Sequence, residues 1–166
     1  IGSNQERKQI HDIELYATKD GEVLALKDFF LHDTGAFIPY GIAIAQVAST
    51  SIAGPYQIPN IHVQFQAVYT PTITITPYRG CGRPQACFAI ERAMDQLADD
   101  LGMSRFEIRR KNLIADDQFP YVREGLMFAD GLRVSMDSGQ YQTALDMVEE
   151  KIGAKDKVEV ETRITE

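Results

Sequence analysis

Polar and apolar residues alternate along the first part of the chain. Residues 12–16 place Ile13 and Leu15 between polar neighbours, which is the pattern of a half-buried strand. Asp20–Gly21 then indicates a hairpin turn, and residues 23–31 return as a second, more continuously apolar strand. Residues 61–67 alternate again, and their odd-numbered positions form the apolar face. The pattern therefore predicts three strands.

Two stretches near these strands are less regular. The β-branched run 72–76 lies between Pro71 and Pro77, which predicts a further strand at the edge of a sheet. Residues 35–51 are rich in small side chains and lack charge. Their periodicity leaves two interpretations open, a buried helix or an interface segment.

The period changes to that of a helix after residue 83. One apolar stripe of this helix contains Ile90, Met94, Leu97, Ala98 and Leu101. Gly102 is a typical end for this helix. Ser104, followed three residues later by Glu107, forms a capping box that predicts a short second helix ending near Asn112.

The last third of the chain predicts a loop, a hairpin and a helix. Residues 115–136 contain the turn signal Asp130–Gly131, and Asp137 or Ser138 is expected to cap a third helix. Its expected inward residues are Tyr141, Ala144, Leu145, Val148 and Ile152, with Gly153 after them. These elements predict an α+β fold, in which a mixed or antiparallel sheet packs with helices.

A glycine-containing loop at residues 78–85 joins the strand-like part to the helical part. Gly80 and Gly82 permit a left-handed backbone, and Pro84 suits the first turn of a helix. The positive end of that helix and the nearby Arg79 and Arg83 favour binding of an anionic group. A purely structural corner would need the same glycines and proline, so both interpretations stand at this point.

Composition narrows the choice of partners. The chain has 166 residues, of which 44% are hydrophobic and 25% charged, as in ordinary soluble proteins. A net charge of −7 argues against nucleic acid as a main partner, and no apolar run is long enough to span a membrane. The cysteines, Cys81 and Cys87, favour a reducing compartment. The histidines His11, His32 and His62 lack metal-ligand spacing and are expected to be partly exposed strand residues.

Charged segments near the end of the chain allow more than one interpretation. The cluster Arg109–Arg110–Lys111 predicts either a basic site or a solvated face that complements the helix dipole. The charged tail, residues 154–166, predicts a disordered end or a strand completed by another chain. The first residue is not methionine, and we interpret the chain as a processed product or an excised piece.

The order of motifs from Tyr78 to Tyr121 resembles the molybdopterin-binding large subunits of the molybdenum hydroxylases, which include xanthine oxidase, aldehyde oxidoreductase and carbon monoxide dehydrogenase. The matching segments are Tyr78-Arg79-Gly80, Gly82-Arg83-Pro84-Gln85-Ala86, Phe88-Ala89-Ile90-Glu91-Arg92, Arg109-Arg110-Lys111-Asn112-Leu113-Ile114 and Phe119-Pro120-Tyr121. Weaker similarity extends the resemblance over most of residues 10 to 153.

The resemblance implies a division of the chain and a set of site residues. Residues 1–153 would form part of a molybdopterin-binding domain, β-rich over 10–77 and helical over 84–153, with the loop 78–85 between. Arg79, Gly80 and Gly82 would contact the cofactor, with Gly82 allowing its close approach. Cys81 would face the substrate pocket.

The resemblance also implies what this chain does not supply. The family's glutamate base and its glutamine motif correspond to segments outside these residues, and Glu91 and Glu107 are expected on helix surfaces. No catalytic residue and no direct metal ligand are therefore expected here. Copper is not expected, because the cysteine is one position from the copper-binding position. The apolar segment near Val47 argues against purine substrates.

The implied function is that of one part of a larger cytoplasmic enzyme. The whole enzyme would hydroxylate an aldehyde or an N-heterocycle with oxygen derived from water, using molybdenum and molybdopterin, in some members as a dinucleotide. Iron–sulfur clusters and FAD would lie on other domains or subunits, and the isolated chain would be inactive. The alternative is a non-catalytic scaffold or assembly module with the same fold.

Overall fold

The computed structural model describes residues 7–37, 40–128 and 130–153. The elements in chain order are β1 (Gln9–Ala17), β2 (Val23–Asp33), α1 (Gly41–Ser51), β3 (Asn60–Val68), α2 (Arg83–Leu101), α3 (Arg105–Asn112), a 3-10 turn (Asp116–Gln118), β4 (Tyr121–Met127), β5 (Arg133–Met136) and α4 (Tyr141–Lys151). The α+β class predicted from the sequence is confirmed. The predicted tail lies outside the described residues.

A three-stranded mixed sheet has the order β1–β2–β3. β1 and β2 are antiparallel and are joined by a hairpin in which Gly21 adopts φ +85°. β3 runs parallel to β2, so the chain needs a crossover, and α1 forms it. The three predicted strands are confirmed, and residues 35–51 contain a helix.

The core lies between this sheet and the helices α1 and α2. Ile90, Met94 and Ala98 of α2 are fully buried, as the apolar stripe predicts. They belong to one cluster with Leu26 and Phe30 of β2. The predicted ends of α2 and α3 are also confirmed. Gly102 adopts a left-handed conformation after α2, and the Ser104 hydroxyl accepts a hydrogen bond from the Glu107 N–H.

The inward face of β2 carries two polar residues, Asp28 and His32, both fully buried. The ring of His11 stacks on Phe30 at 4.6 Å, and its Nδ1 lies 2.9 Å from Asp28 Oδ2. The expectation of a partly exposed His32 was therefore wrong. Its position follows from the strand period, because residues 28, 30 and 32 share one face of β2.

An ionic network joins α2 to α3. The Arg109 guanidinium is 18% exposed and lies 2.7 Å from Glu91 and 2.8 Å from Asp95. Glu91 also accepts a hydrogen bond of 2.8 Å from the Tyr56 hydroxyl. Burial, and then the Glu91 carboxylate, raise the pKa of Tyr56 far above its usual value, so this hydroxyl remains a donor. Glu91 is thus a structural ion-pair partner rather than a simple surface residue, whereas Glu107 is exposed as expected.

The remaining basic residues of α3 make contacts within the chain. Arg110 forms ion pairs with Asp146 and Glu149 of α4, and Lys111 donates a hydrogen bond to the Asp20 carbonyl. The interpretation as a separate basic site finds no support in these contacts. All three residues lie in the last turn of α3, which agrees with the interpretation that they complement the helix dipole, although Arg109 is mostly buried. The ion-pair partners of Arg109 and Arg110 lie on α2 and α4, so the local sequence of α3 does not predict these pairs.

The last helix differs from its prediction in two respects. α4 begins after Gln140, and neither Asp137 nor Ser138 caps it. Tyr141 and Leu145 are partly buried against the core, but Ala144, Val148 and Ile152 are exposed. The apolar face of α4 is thus wider than the surface it covers within the described part of the chain.

The segment 72–76 is not a regular strand. Only Ile75 makes a bridge, and its side chain is buried. Pro71 and Pro77 lack the N–H groups that would extend a ladder beyond either end of this segment. The hairpin predicted around Asp130–Gly131 is confirmed by β4 and β5.

Arg109→Gln should lower the free energy of unfolding by roughly 2–4 kcal/mol, because it leaves Glu91 and Asp95 without their cation in a partly buried site. Denaturant unfolding followed by circular dichroism measures the loss. Arg110→Gln is the matched control, since it removes an equal charge from a more exposed pair and should cost less than about 1 kcal/mol. Equal losses in the two variants would contradict the structural role of Arg109.

Candidate functional site

The turn after β2 supports the segment that leads to the glycine-containing loop. Gly35 has φ +69°, and a Cβ there would lie 2.2 Å from the Ile73 carbonyl oxygen. The Asp33 carboxylate accepts hydrogen bonds from the Thr70 hydroxyl at 2.6 Å and the Gly35 N–H at 2.8 Å. Burial alone would raise the pKa of Asp33, but these bonds and Lys8 together lower it. The segment that leads to the loop is thus anchored to β2 by an ionised carboxylate.

The loop itself is a tight double turn. The Cys81 N–H donates to the Tyr78 carbonyl at 2.7 Å, and the Arg83 N–H donates to the Gly80 carbonyl at 3.0 Å. Gly80, Cys81 and Gly82 all have positive φ, at 96°, 44° and 88°. Glycine takes such angles readily, whereas Cys81 does so at some cost in strain.

Gly82 lies directly against α1. A Cβ at this position would lie 2.2 Å from the Ile44 carbonyl oxygen and 2.8 Å from the Ala48 nitrogen. The close approach that Gly82 permits is therefore an approach to α1, whereas the resemblance implied an approach to the cofactor. A contact between Gly82 and the cofactor stays a prediction.

Pro84 lies in the first turn of α2, as the sequence predicts. Its ring lies where a Cβ on Gly80 would be, at 2.7 Å. The two glycines thus perform different packing roles, one toward α1 and one toward α2. Both roles would exist in a corner that binds no ligand.

The predicted site residues occupy one continuous surface. Arg79 is exposed, Gly80 and Cys81 are half-buried, and Gly82 is buried. The Arg7 guanidinium donates to the Arg79 carbonyl at 2.9 Å and lies over the Tyr78 ring. Within the described residues, the N–H groups of Arg79 and Gly80 have no hydrogen-bond acceptor. They are available to a ligand at the loop.

Sequence reasoning missed two buried polar side chains near this loop. Gln85 is 8% exposed, and neither its amide nitrogen nor its amide oxygen has a partner among the described residues. Arg123 is 4% exposed and belongs to β4. Gln85 lies in the motif that was quoted above, but its burial has no signal in the sequence. Arg123 lies in β4, where polar and apolar residues alternate too weakly to indicate which side chains are buried.

Two classes of site are not found in the described part of the chain. The ranges 7–37, 40–128 and 130–153 contain no group of three His, Cys, Asp or Glu residues that could hold a metal ion. None of the helices described is both long enough and apolar enough to cross a bilayer.

Comparison with known proteins identifies the family. The sequence profile described as "Molybdopterin cofactor-binding domain" matches residues 1–113. The chain is 36% identical to the carbon monoxide dehydrogenase large chain of Hydrogenophaga pseudoflava over 145 residues, and 32% identical to the aldehyde oxidoreductase of Megalodesulfovibrio gigas over 147 residues. These alignments cover 82% and 88% of this chain, and 17% and 16% of the relatives.

Solved structures agree with the sequence comparison. Quinoline 2-oxidoreductase from Pseudomonas putida 86 superposes with a TM-score of 0.83 and 28% identity, covering 93% of this chain and 19% of that one. The Cu,Mo-CO dehydrogenase superposes with a TM-score of 0.74 and 32% identity, covering 90% and 18%. The chain belongs to the molybdopterin cofactor-binding domain family of the molybdenum hydroxylases. It spans about a sixth of the length of the curated relatives named above.

The loop has the chemistry that a molybdopterin group requires. The group is anionic and accepts hydrogen bonds, and the loop offers two N–H groups without acceptors beside the exposed Arg79. Gln85, in the next turn, supplies an amide that has no partner in the described part of the protein. A buried amide without partners is costly, so a missing partner near the loop is expected.

Gly82→Ala should lower the free energy of unfolding by more than about 3 kcal/mol. The methyl group adds a clash with the α1 backbone to the left-handed strain of about 1–2 kcal/mol. Gly102→Ala is the control, because Gly102 also has positive φ but has nothing within 4 Å of a Cβ. Its loss should be about 1 kcal/mol. Similar losses in the two variants, measured by thermal or denaturant unfolding, would exclude close packing of Gly82 on α1.

Proposed function

We propose that this chain is one part of the large subunit of a molybdenum hydroxylase, and that the loop 79–82 lies beside the molybdopterin group. The observation that carries this proposal is that the N–H groups of Arg79 and Gly80 have no hydrogen-bond acceptor among the described residues. A turn whose N–H groups point to a ligand binds it without reorganisation.

When bound, the molybdenum–molybdopterin group supplies the oxidation chemistry, and the protein supplies position and electrostatics. In this proposal Arg79 contributes a positive charge near the anionic group, and Arg79 and Gly80 donate main-chain hydrogen bonds to it. Gly82 supports the turn through α1, and it touches the group only through its backbone. The described residues of this chain would thus bind and orient the group.

Cys81 is proposed to face the substrate. Its side chain is half-buried, and cysteine is small. The substrate class that we propose is an aldehyde or an N-heterocycle. Two similar proteins are named after N-heterocycles: nicotinate dehydrogenase of Eubacterium barkeri and quinoline 2-oxidoreductase. Val47 lies on α1 in an apolar segment that offers no arginine to a substrate, and we therefore do not propose a purine.

The remaining parts of the enzyme would come from outside these residues. We propose iron–sulfur and flavin domains or subunits as partners, a cytoplasmic location, and no activity for the isolated chain. One similar protein is named as subunit gamma of a dehydrogenase complex, which is consistent with separate subunits. We propose molybdenum–molybdopterin as the cofactor, either as the pterin alone or with an added nucleotide.

A non-catalytic scaffold is the second candidate, and one observation favours it. Gly80 and Gly82 are each required by packing against Pro84 and α1, so the loop needs no ligand to explain its glycines. In that case the exposed Arg79 side chain would serve no function in binding.

Arg79→Ala in the assembled enzyme separates these candidates. We expect the molybdenum and pterin content to fall several-fold, because the variant loses the positive charge nearest the anionic group. Metal analysis and pterin fluorescence measure the content. Arg92→Ala, on the exposed side of α2, is the control and should retain it. Unchanged content and turnover in Arg79→Ala would favour the scaffold, and an active parent without molybdenum would exclude the main proposal.

Cys81→Phe tests the pocket. A bulky ring at this point should reduce kcat/KM about tenfold or more for large substrates, while small aldehydes and the molybdenum content change little. Cys87→Phe makes the same change on the exposed surface of α2 and should leave the substrate range unaltered. Equal loss of cofactor and of activity toward all substrates in Cys81→Phe would argue against a role in the pocket.

A further inference from the structure

A cavity of about 290 Å³ lies between the β4–β5 hairpin, the end of α1 and the start of α2. Two arginines line it, Arg83 from the first turn of α2 and Arg123 from β4. Ser51 and Ser135 lie in its wall, and none of the described residues that line it is an aspartate or a glutamate. The cavity therefore has a positive lining, although the chain as a whole is acidic.

Arg123 is an unusual cation in this fold. Its side chain is buried, and Nη2 donates to the carbonyl oxygens of Gly54 and Tyr56, each at 2.8 Å. Nη1 has no acceptor among the described residues, and no carboxylate pairs with the guanidinium there. Burial lowers the pKa of Arg123, which reflects the cost of a charge without a counter-ion.

Arg83 adds a second charge at the same cavity. Its guanidinium is exposed, and its one hydrogen bond in the described residues is a long one of 3.4 Å to the Gly80 carbonyl. It forms no ion pair within the described residues. Two cations that share a cavity repel each other, and an anion between them removes both that repulsion and the desolvation cost of Arg123.

We propose that this cavity binds the oxyanion group of a small molecule, either a carboxylate or a phosphate. Arg83 supplies the exposed half of the site and Arg123 the buried half. Arg123 lies outside residues 1–113, which match the family profile, and the site needs neither the metal nor the pterin. The anion site is thus proposed in addition to the cofactor-binding function of the loop.

The geometry favours a small ligand. Phe128, Val134 and Met136 form an apolar part of the lining, so the cavity combines charge on one side with hydrophobic surface on the other. A flat ring that carries a carboxylate fits this combination, and so does a phosphate with a small organic group. Inorganic phosphate and benzoate are therefore the probes. Phosphate represents a phosphorylated ligand, and benzoate represents a ring that carries a carboxylate.

Isothermal titration calorimetry on the assembled protein, at fixed chloride concentration, tests the site. The wild type should bind phosphate, benzoate or both. Arg83→Gln should weaken that binding about tenfold or more, which is the effect of losing one charge-assisted hydrogen bond. Arg123→Gln should do the same. If Arg123→Gln fails to fold by circular dichroism, Arg83→Gln alone decides the outcome.

Arg133→Gln is the matched control, since Arg133 lies on the same hairpin, pairs with Glu124 and does not line the cavity. It should bind like the wild type. Binding of phosphate alone would identify a phosphorylated ligand, and binding of benzoate alone a carboxylate. The proposal is overturned if neither anion binds the wild type at millimolar concentration, or if Arg83→Gln binds as the wild type does. Molybdenum content, measured in the same samples, separates this result from the role of the loop.

Discussion

The fold depends on one backbone contact, the approach of Gly82 to α1. The loop can turn from the strand-like segment into α2 only because no side chain separates it from the carbonyl of Ile44. The turn that this contact holds contains Arg79 and Gly80, whose N–H groups have no acceptor among the described residues. Any residue with a Cβ would force the loop and α1 apart, and the surface formed by residues 79–81 would be lost.

A second junction holds the helical part to the sheet. The turn at Gly54–Tyr56 receives two hydrogen bonds from Arg123, and the Tyr56 hydroxyl donates to Glu91. The side chain of Asn112 accepts from the Val23 N–H and donates to the Gly21 carbonyl, which links α3 to the β1–β2 hairpin. Hydrogen bonds between buried polar groups favour this arrangement of the elements over others that would bury a similar area of apolar surface.

The net charge of the chain gives little information about its ligands. At −7 the chain is acidic, yet the surface near the loop carries Arg79, Arg83 and the buried Arg123. Carboxylates that could neutralise arginines are used elsewhere, in the network of Arg109 and in the pairs of Arg110. A local positive potential can therefore exist within an acidic protein, because charges separated by more than about 8 Å are largely screened at physiological salt.

The sequence by itself determined the periodic elements and the family. The strands β1 to β3 and the buried stripe of α2 follow from local alternation, and the ordered motifs from Tyr78 to Tyr121 identified a molybdopterin-binding domain. Tertiary structure alone decided the pairing of Glu91 with Arg109 and the contact of Gly82 with α1. Each of these depends on which distant segment packs against the residue, and periodicity within one segment contains no such information.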